Sequence, residues 1–127
     1  MSEILNKNIL IIDDDPVASK TLSLLLKKLG AENLNVVDDA ISAFELIIER
    51  VDSNPIDLII SDFIMPEMTG LDLYKKLILS DINIPFAMVT ANSDSESIKE
   101  MIDLGINMIL VKPVTVEMLK SRVIDHL

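Results

Sequence analysis

Five short apolar runs alternating with five segments of helical period predict an α/β fold, a doubly wound parallel sheet of five strands with five helices. Two further observations narrow it. The runs are near-continuously apolar, as in strands covered on both faces. A length of 127 residues also excludes the closed barrel, which needs eight such units and about 250 residues.

The predicted strands are Asn8–Ile12, Leu34–Val37, Leu58–Ser61, Phe86–Val89 and Met108–Val111, all read as core strands rich in Ile, Val, Leu or Met. The first helix spans Pro16–Leu29, with apolar residues at Val17, Leu22, Leu25, Leu26 and Leu29, Asp15 as its N-cap and Gly30 as its stop. Further helices are predicted over Ala40–Arg50, Gly70–Leu79, Asp94–Leu104 and Val116–Leu127, with Gly105 closing the fourth and Thr115 capping the fifth. Linkers, repeats and low-complexity stretches are absent from the sequence, so residues 1–127 read as one domain with no room for an output domain. The six methionines from Met65 to Met118 read as core filler.

The balance of 21 acidic to 11 basic residues, a formal charge of −10, repels nucleic-acid phosphates. Three phenylalanines, one tyrosine and no tryptophan leave little on which unpaired bases could stack. No apolar run reaches the roughly 18 residues of a membrane span, and the start lacks a signal-peptide pattern. Without cysteine there is no disulfide framework and no thiolate metal site. These features fit a cytoplasmic protein whose partners are proteins and small cations, with no direct nucleic-acid or membrane contact.

Open parallel sheets bind ligands beyond the carboxyl ends of their strands. Four of the predicted strands are followed there by polar residues: Asp13-Asp14-Asp15, Asp62, Thr90 and Lys112-Pro113. Carboxylates gathered so closely repel one another unless a cation relieves them. An all-oxygen donor set suits a hard dication that keeps part of its water, which is Mg²⁺ behaviour. The single histidine, His126, falls in the last helix, away from the cluster. Lys112 and Thr90 add an ammonium and a hydroxyl for phosphoryl oxygens, so the constellation reads as phosphoryl transfer to a carboxylate nucleophile.

The segments Ile9-Leu10-Ile11-Ile12-Asp13-Asp14-Asp15-Pro16, Asp57-Leu58-Ile59-Ile60-Ser61-Asp62-Phe63-Ile64-Met65-Pro66 with Gly70, Met88-Val89-Thr90-Ala91 and Val111-Lys112-Pro113 together resemble the receiver domain of response regulators, especially single-domain, chemotaxis-type regulators. The resemblance spans nearly the whole chain. It implies a flavodoxin-like sheet in the order 2-1-3-4-5. It further implies Asp62 as phosphoacceptor; Asp14 and Asp62 as Mg²⁺ ligands with Asp13 through water and the Ile64 carbonyl; Thr90, Lys112 and the Ala91 amide as phosphoryl contacts; and a cis Lys112-Pro113 bond. The implied partners are a sensor histidine kinase or histidine phosphotransfer protein docking near the first helix, and an unidentified downstream protein. The implied state is a monomer or a weak phosphorylation-dependent dimer. Such a domain is not an enzyme beyond Mg²⁺-dependent self-phosphorylation and autodephosphorylation.

The sequence departs from the family pattern at Ile109, where an aromatic residue is common, at Ala40 in place of a glycine, and at Val114 in place of a frequent phenylalanine. Without an aromatic relay at Ile109, the backbone after Thr90, including Asn92, is expected to carry more of the signal, together with the fourth helix. Ile64 and Asn92 are placed to govern water approach, and an apolar Ile64 predicts slow autodephosphorylation. Two alternatives remain. One is a small haloacid-dehalogenase-like phosphatase with Asp13 as nucleophile, but it needs an acidic metal-binding pair after Lys112, where only Glu117 and Asp125 follow. The other is a degenerate receiver that only binds partners, against which Asp13, Asp14, Asp62, Thr90 and Lys112 are all present.

Overall fold

The two-residue period of a strand decides which helical layer each side chain meets. In β1 (Asn8–Ile12) Ile9 and Ile11 join one core cluster, Leu10 and Ile12 the other, and all four are fully buried. β3 (Leu58–Asp62) divides the same way, with Leu58 and Ile60 on the first side and Ile59 on the second. Each such fully buried aliphatic side chain contributes about 1.5–3 kcal/mol, which is why continuous apolar runs specify central strands.

A computed structural model describes residues 4–91 and 95–127. The remaining elements are α1 (Pro16–Lys28), β2 (Asn33–Val37), α2 (Ala40–Arg50), α3 (Gly70–Leu79), β4 (Phe86–Thr90), α4 (Ser95–Asp103), β5 (Met108–Val111) and α5 (Val116–Arg122). The strands form one parallel sheet in the order β2-β1-β3-β4-β5. Leu22 and Leu26 of α1 and Leu119 of α5 pack on one face; Ala43 and Ile47 of α2, Leu73 and Leu77 of α3 and Met101 of α4 pack on the other. The predicted doubly wound fold is therefore observed.

The helix ends follow the sequence signals. The Asp15 carboxylate accepts from the Val17 N–H at 3.0 Å, and Gly30, at φ 103°, lets Ala31 N–H reach back to the Leu26 carbonyl at 3.0 Å. α3 has a reciprocal capping box between Thr69 and Asp72.

Several expectations need correction. β2 and β5 are the edge strands rather than core strands; β2 pairs only with β1 and leaves Val36 49% exposed, and β5 pairs only with β4. β3 and β4 run one residue further than predicted, because Asp62 still pairs with Val89 and Thr90 with Val111. The last helix stops at Arg122, where Val123 leaves helical geometry, and His126 lies in a separate 3₁₀ turn over Ile124–His126. The predicted fourth-helix start at Asp94, and Asn92, fall outside the described residues. Met65, Met88, Met101 and Met108 are buried, while Met68 and Met118 are partly buried against the two clusters.

Candidate functional site

Strand register brings the polar strand ends together. Ile12 pairs with Ser61, so Asp13 and Asp62 follow side by side at the carboxyl edge. Hydrogen bonds continue past the strands: Asp13 N–H donates to the Val37 carbonyl at 3.2 Å, Phe63 N–H to that of Val89 at 2.8 Å, and Lys112 N–H to that of Thr90 at 2.8 Å. Asp13, Asp62 and Lys112 continue the side-chain phase of Ile11, Ile60 and Leu110, residues of one core cluster, so all three belong to the face covered by α1 and α5.

There the Lys112 ammonium lies 3.2 Å from Asp62 Oδ1 and 4.0 Å from Asp13 Oδ2. Asp13, Asp14 and Asp62 each offer a carboxylate oxygen, all within 4.8 Å of one another. Asp13 is buried, and its Oδ1 accepts from the Asp15 N–H at 2.9 Å. Burial pushes the Asp13 carboxyl above its ordinary value of 3.8; the Asp62 and Asp14 carboxylates push the same way, against the Asp15 N–H and the Lys112 ammonium.

Three carboxylates with one ammonium leave an excess of negative charge in a partly dehydrated pocket, and every donor in the cluster is oxygen. That chemistry fits a hard dication such as Mg²⁺. Asp15 is engaged as the α1 cap and stands outside the cluster. Thr90, almost fully buried, ends β4 beside Asp62 and Lys112. Ala91 is exposed and lines a cavity with both of them. Ile64 is two residues past Asp62 in the loop that leaves the site, its side chain 67% exposed. The Lys112-Pro113 bond is cis. Glu117 lies on α5 and Asp125 in the turn after it, and neither joins the cluster.

Two supports were not legible as such in the sequence. The Ser61 hydroxyl, fully buried, donates to the Asp62 carbonyl at 2.9 Å. Gly70 lies against that same carbonyl, so closely that any Cβ would overlap it, and its N–H donates to the Phe63 carbonyl at 2.9 Å. A hydroxyl interrupting the apolar run just before Asp62 was the available signal for Ser61.

Comparison with known proteins agrees with this arrangement. The family model described as response regulator receiver domain matches residues 9–124. The chemotaxis protein CheY-3 of Vibrio cholerae is 34% identical over 126 residues, covering 96% of this chain and 94% of its own. Among solved structures, CheY in the CheX-CheY-BeF3-Mg+2 complex from Borrelia burgdorferi superposes with a TM-score of 0.85 at 24% identity, over 94% of this chain and 88% of that one, which speaks for the fold. The receiver domain of the Arabidopsis thaliana histidine kinase CKI1, complexed with Mg2+ and BeF3−, gives a TM-score of 0.78 at 25% identity, over 98% and 93%. With one family model covering nearly the whole chain and a relative 34% identical over nearly the full length of both, the chain belongs to the response regulator receiver domain family of two-component signalling.

Proposed function

We propose that Asp62 accepts a phosphoryl group from the phosphohistidine of a sensor kinase or phosphotransfer protein, and that residues 1–127 work as one receiver domain. The observation that carries this reading is the Asp62 carboxylate, within 4.8 Å of the Asp13 and Asp14 oxygens and 3.2 Å from the Lys112 ammonium. An Asp62 oxygen attacks phosphorus, the P–N bond breaks, and its electron pair stays on the departing imidazole, which takes up a proton from solvent. Lys112 balances charge on the phosphoryl oxygens, and the Thr90 hydroxyl and Ala91 N–H donate to them.

Asp13, Asp14, Asp62 and the Ile64 carbonyl are the groups that would hold Mg²⁺. When bound, that cation neutralises charge on the transferring group. The CKI1 receiver's complex with Mg2+ and BeF3− supports this assignment. Phosphorylation then shifts a pre-existing equilibrium on the face of α4, β5 and α5, which an unidentified downstream protein reads. Self-phosphorylation from small acyl or amido phosphates and slow autodephosphorylation belong to the same reading. So does a cytoplasmic setting, where sensor kinases present their phosphohistidines, and a monomer that pairs weakly once phosphorylated.

The test is intact mass after incubation with phosphoramidate, with and without Mg²⁺. A labile adduct that requires Mg²⁺ and disappears in Asp62→Asn is expected. An adduct that survives Asp62→Asn but is lost in Asp13→Asn would transfer the nucleophile to Asp13, and no adduct at all would leave a binding module.

A further inference from the structure

A surface helix ordinarily turns one apolar stripe toward the core. In α2 there are two. Ala40, Ala43 and Ile47 form its buried stripe, while Ile41, Phe44, Ile48 and Val51 fall in a neighbouring arc of about 80° at 3.6 residues per turn. Phe44 is half-buried against the core, but Ile41, Ile48 and Val51 are 42%, 43% and 46% exposed. The Lys76 ammonium of α3 lies 4.4 Å from the centre of the Phe44 ring, so this second stripe faces α3. Leu79, one turn along α3 from Lys76, is 88% exposed and extends the apolar surface. Exposed apolar side chains scattered singly need no explanation, whereas a contiguous run rimmed by charge marks an interaction surface.

We infer that this stripe docks a basic amphipathic helix of a partner protein, with apolar anchors on Ile41, Phe44, Ile48 and Val51 and cations on the acids of α2. Charge selects this occupant. Glu45, Glu49 and Asp52, spaced four and three residues apart, form one exposed row along the solvent edge of the stripe. Among the described residues, none of the three makes an ion pair. The cations of α2 and α3 are turned elsewhere: Lys76 sits over Phe44, Arg50 Nε donates to the Asn54 carbonyl at 2.8 Å, and Lys75 lines a depression with Glu96 and Glu100 of α4. Lysines or arginines beside the apolar face of an incoming helix supply what the acid row lacks. A second copy of this chain would instead bring a like acid row and a formal charge of −10. From Ile41 to Val51 the stripe runs about 15 Å, about three helical turns, which suits anchors at i, i+3, i+4 and i+7.

The surface is distinct from the acidic pocket and from the face of α4, β5 and α5. Asp62 and Lys112 belong to the side of the sheet covered by α1 and α5, whereas α2 and α3 cover the other. A helix seated on α2 therefore leaves Asp62 open to its phosphodonor and needs no phosphoryl group to bind. It holds the receiver in place while the other surfaces work.

The probe is a synthetic peptide of leucine and lysine in helical period, titrated into the whole chain and followed by amide spectra. Its controls are a peptide of the same composition with the period scrambled and one with glutamate in place of lysine. Saturable shifts centred on Ile41, Phe44, Ile48, Val51 and Leu79 are expected, with both controls at least about tenfold weaker, a difference of about 1.4 kcal/mol. Ile48→Glu should weaken the lysine peptide at least about tenfold while the urea midpoint holds, since that side chain already stands half in water. Glu45→Lys combined with Glu49→Lys, both on the solvent side where the fold is not at stake, should weaken the lysine peptide and strengthen the glutamate one. Treatment with phosphoramidate and Mg²⁺ should leave the affinity within about twofold. Shifts confined to α1 or to α4 and β5, a control binding as tightly as the lysine peptide, or undiminished binding in both variants would overturn the proposal. So would sedimentation as a dimer that Ile48→Glu dissociates, which would give the stripe to a second copy.

Discussion

Gly70→Ala probes the support beneath Asp62. A Cβ at Gly70 overlaps the Asp62 carbonyl oxygen and lies 2.8 Å from Met88 Sδ and 3.0 Å from Ser61 Oγ. The methionine can turn aside, but the carbonyl is backbone and cannot. Gly70 has no left-handed φ, so the penalty is steric rather than conformational, and overpacking of this kind costs about 1–3 kcal/mol. With an m-value of about 2 kcal/mol/M, the urea midpoint falls by about 0.5–1.5 M. Relief must come from movement of Asp62 and Phe63, so Mg²⁺ affinity falls as well, and a Ser61→Ala, Gly70→Ala pair recovers little because the carbonyl overlap remains. The assay is urea unfolding followed by circular dichroism, with a parallel Mg²⁺ titration. An unchanged or higher midpoint, as helix propensity alone would give, refutes the close-approach argument.

Asp13→Asn should raise the urea midpoint of the metal-free protein at neutral pH, since burial disfavours the Asp13 carboxylate while an amide oxygen can still accept from Asp15 N–H; the same variant should lose the added stability that Mg²⁺ confers on the native chain. The Asp72 carboxyl is held below its ordinary 3.8 by the Thr69 backbone N–H, so its contribution is present above that value and is lost as pH falls through the lower folded one. Asp72→Asn should therefore flatten the acid limb of a midpoint-against-pH curve and cost about 1 kcal/mol or less at neutral pH. Ile64→Asn gives an in-line water a hydrogen-bonding partner at the mouth of the site, and the half-life of the phosphoryl adduct by intact mass should shorten severalfold; an unchanged half-life removes Ile64 from water control.

Much of this arrangement was legible because the relevant signals are local. Continuous aliphatic runs mark β1, β3 and β4, and Asp15, Gly30 and Thr115 mark helix ends. Acids directly after apolar runs placed Asp13 and Asp62 at one edge. What the sequence hid depends on neighbours distant in the chain. β2, with Asn35 inside its short apolar run, reads with the central strands, and its place at the sheet edge leaves Val36 exposed. Ser61 reads as the polar end of a strand until Gly70 is seen packed over the same carbonyl. The cavity beside Asp62 and Lys112 arises from residues on α1, β4 and the β5–α5 loop that no periodicity connects.

Borohydride trapping tests the central claim most directly. An aspartyl phosphate is reduced to homoserine while free carboxylates are untouched, so peptide mass spectrometry after phosphoramidate and Mg²⁺ treatment reports which acid carried the phosphoryl group. Homoserine at position 62 alone, dependent on Mg²⁺, is the predicted result. Homoserine at position 13 or 14, or at none of the cluster residues, would contradict it.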